Sequence, residues 1–328
     1  MITYFSRHTS CGFSIQRVFG LIINEVKTKK NVKQFSMPSK RSRPIDIIIN
    51  AKFTNKNRNK NGINHITGHI HDVVLGLVGA KTILTIHDLV FIDNVTSPIK
   101  KIYKWFFWIY LPLKLSDYVV CISEHTKQNL LKYVKETKKI KVIHNPIDPK
   151  YSFVHKEFND KEPIILHIGT GWNKNIDRVI LSLAGIPCHL RIVGKLSVNQ
   201  HKLLQSANIE YSNVFNLSDD EIKHEYIKSD IVSFPSEYEG FGMPIIEAQK
   251  IGRIVVTSKI EPLIEVSGNA VCYVEPKDVL SIKNGFLKAI QDKTFRETTI
   301  EKGKVNVERF NITKIADQYL DLYKKLLS

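Results

Sequence analysis

The stretch Ser236-Glu237-Tyr238-Glu239-Gly240-Phe241-Gly242-Met243-Pro244-Ile245-Ile246-Glu247-Ala248 carries two carboxylates, Glu239 and Glu247, around a predicted chain reversal. Gly242 frees the backbone to turn tightly, Pro244 has the φ that a first helical position needs, and Gly252 suits the helix end. A short helix is therefore predicted from about Pro244. At about 1.5 Å of rise per residue, Glu247 sits roughly one turn inside it, while Glu239 lies in the loop just ahead. A helix entrance offers unpaired N–H groups and the positive end of the dipole, which attract an anion, and the flanking carboxylates accept hydrogen bonds from sugar hydroxyls. On these residues alone two readings stay open: a site for a phosphate-bearing sugar, or an acidic first turn that merely complements the dipole.

Outward from this stretch, short apolar runs alternate with amphipathic ones, the pattern of two doubly wound α/β domains. In the first half the runs Ile2 to Phe5, Ile47 to Ile49, Thr82 to Ile86, Tyr118 to Ile122 and Lys141 to His144 read as strands. Gly12 falls in the loop before a helix carrying Ile15, Val18, Phe19, Leu21 and Ile22, and Ser123 is the N-cap of another. In the second half Pro163 to Ile168, Leu190 to Val193, Ile231 to Phe234 and Ile254 to Val256 read as strands, with helices near Ile176 to Leu183 and Val279 to Ile290. The polar stretch Asp148 to Glu162 reads as a linker, so the predicted domains are 1–155 and 156–309, followed by a helical stripe from Ile312 to Leu327. Ligands in open sheets of this type bind beyond the carboxyl ends of the strands, so these loops are expected to meet across an interdomain cleft.

The chain has 328 residues, 43% of them hydrophobic, which is enough for two medium cores. No stretch approaches the roughly 20 uninterrupted apolar residues that cross a bilayer, and Met1 to Ser10 lacks the apolar core of a secretory signal, so a cytoplasmic location is expected. Cys11, Cys121, Cys188 and Cys272 are widely scattered, which argues for reduced thiols and against a disulfide framework. The net charge of +16 is uneven: Lys and Arg outnumber Asp and Glu by 26 to 11 through residue 160 and by only 22 to 21 afterwards. A basic first half, with Lys27, Lys29, Lys30, Lys33, Lys40, Arg41, Arg43, Lys52, Lys56, Arg58 and Lys60, faces either solvent or an anionic partner such as a membrane surface.

Pro235 to Ala248 resembles the donor-site signature of the retaining glycosyltransferases of family 4, whose two-domain architecture is called GT-B. The likeness continues in Leu217 to Ile222, Ser229 to Ile231, Pro262 to Val266 and Glu275-Pro276. It also runs through the first half in Asn64 to Gly68, Thr85 to Asp88, Ile122 to Glu124 and Asn145 to Asp148. The resemblance implies a GT-B fold of two Rossmann-like domains facing a central cleft, with the last helix returning to the N-terminal domain. By the same resemblance Glu247 holds the nucleotide ribose, and Glu239 with Gly240, Phe241 and Gly242 engages the transferred sugar. Met243 and Pro244 at the helix entrance bind diphosphate, with Thr170, Gly171 and Gly12 on neighbouring donor-side loops. Lys174 matches the family lysine that neutralises the leaving phosphate; family members often place an Arg shortly before it, where this chain has Thr170 and Asn173. His87 matches a histidine near sugar and acceptor, orienting a hydroxyl or shuttling a proton, although a core histidine fits the same residues.

Three further signals carry alternatives. His65, His69 and His71 have a zinc-like look but lack the usual further ligands, and family members often carry Asp at the position of His69. Asp219-Asp220 could hold a cation, yet Ser218 and Glu221 form a capping box that explains the same acids as a helix start. Ile99 to Tyr110 mixes lysines with aromatics, as a buried helix with a basic edge does and as a membrane-interfacial segment does; burial is the reading preferred here. The sequence thus points to a retaining glycosyltransferase taking a nucleotide sugar to a polysaccharide or lipid-linked glycan acceptor, with no cofactor, no required metal and no nucleic-acid partner. The alternative is a non-catalytic GT-B accessory subunit that binds membrane or a partner enzyme.

Overall fold

The computed structural model describes residues 1–10, 13–135 and 138–328, so Cys11 and Gly12 lie outside the described residues. The chain forms two compact units, Met1–Pro146 with Phe310–Ser328, and Ile147–Arg309. The first opens with β1 (Ile2–Ser6), α1 (Phe13–Lys27), β2 (Val32–Ser36), α2 (Pro44–Asn57) and β3 (Ile63–Ile66). A 3-10 turn at His71–Leu77 leads to β4 (Thr82–Ile86), α3 (Val90–Asp93) and α4 (Pro98–Trp105). A π-turn at Phe106–Tyr110 joins α4 to α5 (Leu111–Leu115), followed by β5 (Tyr118–Cys121), α6 (Glu124–Leu131) and β6 (Ile140–Val142). All six strands are parallel, in the order β2-β1-β3-β4-β5-β6. β3 and β4 are buried throughout, as strands covered by helices on both faces must be.

The second unit repeats the plan. It contains β7 (Ile164–Ile168), α7 (Ile176–Leu183), β8 (His189–Val193), α8 (Val198–Ser206), β9 (Glu210–Val214) and α9 (Asp219–Lys228). It continues with β10 (Ile231–Phe234), α10 (Met243–Ile251), β11 (Ile254–Ser258), α11 (Leu263–Ser267) and β12 (Cys272–Val274). Helices α12 (Val279–Gln291) and α13 (Lys293–Val307) close it. Its six parallel strands run β12-β11-β10-β7-β8-β9, so the strand order reverses between β7 and β10. The final helix, α14 (Ile312–Leu327), belongs to the first unit. Tyr319 packs edge-on to Phe19 of α1, and the Tyr323 hydroxyl lies 2.6 Å from His65 Nδ1 and 3.0 Å from the Tyr4 hydroxyl. The apolar stripe at the chain end thus returns to the first sheet.

Three sequence expectations are corrected. Ile47 to Ile49 is not a strand but the middle of α2, because Pro44 sits in the first turn and Asp46 accepts from the Arg43 backbone N–H at 3.2 Å, closing the helix start. Only Ile47 of the three is buried. Two strands the reading missed, β2 and β9, each lie at one edge of their sheet, and their polar residues obscured them. The boundary at 155 also moves: Ile147 to His155 groups with the second unit. Val154 N–H donates to the Ile251 carbonyl at 3.1 Å, Tyr151 packs edge-on to Tyr226, and Lys156 pairs with buried Asp230. A stretch that reads as a polar linker is fastened along one unit by main-chain bonds and by the ion pairs Lys150–Asp220, Lys156–Asp230 and Asp160–Arg296.

Candidate functional site

Where strand order reverses in an open parallel sheet, the loops after the two neighbouring strands leave in opposite directions and open a crevice at their carboxyl ends. In the second unit those loops follow β7 and β10, and they carry Lys174 and Glu239. Lys174 Nζ lies 2.6 Å from Glu239 Oε1, and the side chains are 23% and 13% exposed. Below them His167 Nδ1 and Ser233 Oγ, 3.1 Å apart, tie β7 to β10. The ammonium also lies 4.7 Å from the centroid of the Phe234 ring, a cation–π contact that steadies it. Its stem crosses Gly169, which has φ 93° and where an added Cβ would fall 2.9 Å from Lys174 Cγ.

The loops are braced by amides. The Asn173 side chain donates to the Tyr238 carbonyl at 3.0 Å, and the Asn173 backbone carbonyl accepts from Glu237 N–H at 2.8 Å. Asn175, at φ 61°, donates to the carbonyls of Pro235 at 2.9 Å and Pro276 at 2.6 Å. One turn on, Arg178 pairs with Glu237 at 2.5 Å. Two alternate carboxylates of one loop therefore hold Lys174 of the other loop and Arg178 of α7. Asn175, Arg178 and His167 were not singled out in the sequence. The four-residue spacing of Lys174 and Arg178 carried no signal, because Asn175 at φ 61° breaks the helical register between them. Neither candidate position for the family Arg bears a charge, and Thr170 Oγ1 is spent on the Lys195 carbonyl at 2.7 Å.

α10 begins as the glycine and proline require. Gly242 has φ 108°, and a Cβ there would lie 2.7 Å from Leu263 Cδ2, so a larger residue meets both strain and contact. Met243 and Pro244 form the first turn, and Gly252 ends the helix at φ 87°. Glu247 lies one turn in, is 4% exposed, and accepts from the Tyr226 hydroxyl at 2.7 Å. Phe241 is buried, whereas Gly240 and Gly171 retain exposure. The entrance of α10, the Lys174–Glu239 pair and the β10–α10 loop so gather positive potential and carboxylate acceptors in one unit.

The strand ends of the first unit have a different chemistry. His87 Nε2 donates to the Thr67 carbonyl at 3.0 Å, which leaves Nδ1 as the acceptor nitrogen. Burial, with His69 nearby, lowers its pKa to about 3, so the ring is neutral at physiological pH. Burial likewise brings His65 and His71 to about 3 and His69 to about 4, although Asp88 Oδ2 stands 3.6 Å from His69 Nε2. Two histidines of the zinc-like pattern have separate partners, His65 meeting Tyr323 and Thr85 and His71 donating to the Trp108 carbonyl, while His69 Nε2 makes no hydrogen bond. Among the described residues no group of three or more His, Cys, Asp or Glu could hold a metal ion. Asp219 and Asp220 start α9 behind the Ser218–Glu221 capping box, and Asp220 pairs with Lys150 at 3.2 Å.

Comparison with known proteins agrees across both units. The family described as Glycosyl transferases group 1 matches residues 150–306, and Glycosyltransferase Family 4 matches 23–151. The O-antigen chain mannosyltransferase B of Escherichia coli is 34% identical over 33% of this chain and 28% of its own. The O-antigen chain mannosyltransferase RfbU of Salmonella typhimurium is 30% identical over 60% of this chain and 57% of its own. The matched stretches thus span under two thirds of those relatives' lengths. Among solved structures, Anabaena HepE in complex with UDP and glucose aligns with a TM-score of 0.79 at 14% identity, covering 99% of this chain and 100% of that one. That likeness establishes a shared fold.

Proposed function

Because the chain belongs to the group 1 and family 4 glycosyltransferases and has their GT-B fold, we propose that it transfers a sugar from a nucleotide-diphosphate donor to a glycan acceptor. The observation that carries this reading is the Lys174 ammonium fixed on Glu239 at the strand-order reversal, in the unit where α10 presents its N-terminus. Breaking the bond between the sugar C1 and diphosphate oxygen builds negative charge on the leaving group. A preset ammonium and helix end stabilise that charge more in the transition state than in the bound donor. The acceptor hydroxyl forms the new bond to C1 on the face from which the diphosphate departs, its proton passes to a phosphate oxygen, and configuration is retained. Glu239 binds the sugar, Glu247 the ribose, and Arg178 adds a second cation beside Glu237.

The bound UDP and glucose of HepE support a nucleotide sugar as co-substrate, and the O-antigen enzymes support a surface polysaccharide or its lipid-linked precursor as acceptor. His87, neutral and buried, serves as a hydrogen-bonding residue on the acceptor side. Helix dipole and lysine supply the charge that a divalent cation would otherwise bring, so transfer proceeds undiminished in excess chelator. A panel of nucleotide sugars read by thermal shift and by donor hydrolysis tests the proposal. One donor should stabilise the protein and be hydrolysed, and Lys174→Ala should keep the fold while losing turnover. Binding without turnover by the native chain on any acceptor would favour the accessory-subunit reading, and binding of no donor would end the proposal.

A further inference from the structure

The preferred reading of Ile99 to Tyr110 as a buried helix holds only at Ile109, with Trp105, Phe107 and Trp108 half-buried. α4 has no buried residue: Ile99 is 81% exposed and Ile102 66%. Phe106 and Tyr110 continue the same exposed stripe at helical spacing, while Ile109 turns into the core. Tyr103 donates to the Ser42 carbonyl at 3.3 Å, which sets α4 beside the loop that enters α2. On α2, Ile45 (55% exposed) and Ile48 (49%) with Ile49 form a second outward apolar stripe. Large aliphatic side chains clustered this way are not the normal surface of a soluble monomer.

The charge along both stripes is of one sign, and of the acids just beyond them Asp72 is buried and Asp93, at the end of α3, is exposed. From Val95 to Leu115 the chain holds Lys100, Lys101, Lys104 and Lys114 and no acid. From Pro38 to His71 it holds seven Lys and Arg, and its one acid, Asp46, is buried and paired with Arg43. Beyond Tyr110 a groove of about 550 Å³, walled by Trp105, Tyr110 and Leu113, is rimmed by Lys114, Lys132 and Lys139. Apolar stripes set among cations fit a lipid interface, with the aliphatic groups below the headgroups and the lysines at the phosphates. A second copy of the chain would bring a like-charged face. We infer that the exposed faces of α2 and α4 dock the protein on an anionic phospholipid surface. This inference goes beyond glycosyl transfer and stands or falls separately from it.

Co-sedimentation of the full chain with vesicles tests it, using phosphatidylcholine alone and phosphatidylcholine mixed with phosphatidylglycerol. Binding should require phosphatidylglycerol and weaken as salt is raised. Ile99→Glu with Ile102→Glu, Lys100→Glu with Lys101→Glu, and Ile45→Glu with Ile48→Glu should each lower partitioning at least about tenfold. Their melting temperatures and donor hydrolysis in solution should stay unchanged, since these side chains are exposed and outside the donor loops. Leu280→Glu, an equally exposed position of the second unit, should have no effect. Equal binding to both vesicle types, no binding, or binding indifferent to the three double variants would overturn the inference. A dimer dissolved by Ile99→Glu with Ile102→Glu, without vesicle binding, would assign the face to a second copy instead.

Discussion

At the carboxyl ends of β7 and β10 the side chains are charged and paired, Lys174 with Glu239 and Arg178 with Glu237, whereas the ends of β3 and β4 carry neutral histidines. Both sets lie at the edge of a six-stranded parallel sheet with helical cover, so the frame is the same. The difference comes from side-chain type and enclosure. A partly buried charge persists where an opposite charge lies within hydrogen-bond distance. At His69, where Asp88 stands 3.6 Å away, desolvation outweighs the carboxylate, and at His71 and His87 burial is again the largest cause of the lowered pKa. Fixed charge suits a diphosphate, and neutral imidazoles suit the hydroxyl groups of an acceptor.

The largest effect should come from removing charge at the second sheet. Lys174→Ala should lower the rate of sugar transfer by about 10²–10³-fold, the range for losing one preorganised stabilising group, with circular dichroism unchanged. A rate within a few-fold of normal would show that the pairing is structural only. Arg178→Ala should cost less and act mainly through donor affinity, seen as a raised KM.

Acid should act unequally on the two sheets. His65, His69, His71 and His87 in the first unit, against His167 in the second, are neutral when folded and protonated when unfolded below pH 6.5. The unfolded chain then binds more protons. The stability these rings contribute is intact above about 6.5 and drains as pH falls toward about 3 to 4, by about 1.4 kcal/mol per pH unit for each ring at most. Hydrogen exchange, corrected for intrinsic pH dependence, should show β3 and β4 losing protection at higher pH than β7 and β10. Simultaneous loss would break the contrast.

Smaller effects sharpen it within each unit. Asn175→Ala removes two carbonyl contacts and places Ala at φ 61°, which should cost about 2–3 kcal/mol in denaturant unfolding. Tyr323→Phe removes the hydroxyl shared by Tyr4 and His65 and should cost about 1–2 kcal/mol while leaving donor binding untouched. An equal loss of donor affinity in Tyr323→Phe would mean that the two units do not keep separate tasks.

Much of the architecture was legible locally. Gly242, Pro244 and Gly252 set the limits of α10, Ser123 and Ser218 marked helix starts, and buried strands such as Thr82 to Ile86 read as apolar runs. Misreadings fell mostly where burial is one-sided, although the fully buried β3, with Asn64 and His65 among its four residues, also escaped reading as an apolar run. Edge strands β2 and β9 show no apolar run, and three isoleucines in α2 imitate a strand although two of them face outward. The resemblance located Lys174 and Glu239, yet no sequence pattern told that Arg178 would meet Glu237 or that Asn173 and Asn175 would brace both loops.

What the sequence determined by itself was periodicity, helix limits and the residues able to carry charge, because backbone preference and side-chain type act over a few positions. Tertiary structure alone decided which of those groups meet a counter-charge and which apolar faces stay uncovered. Both outcomes depend on neighbours brought from distant segments: Glu239 keeps company with Lys174, the histidines are enclosed without an equal counter-charge, and the stripes of α2 and α4 are left outward.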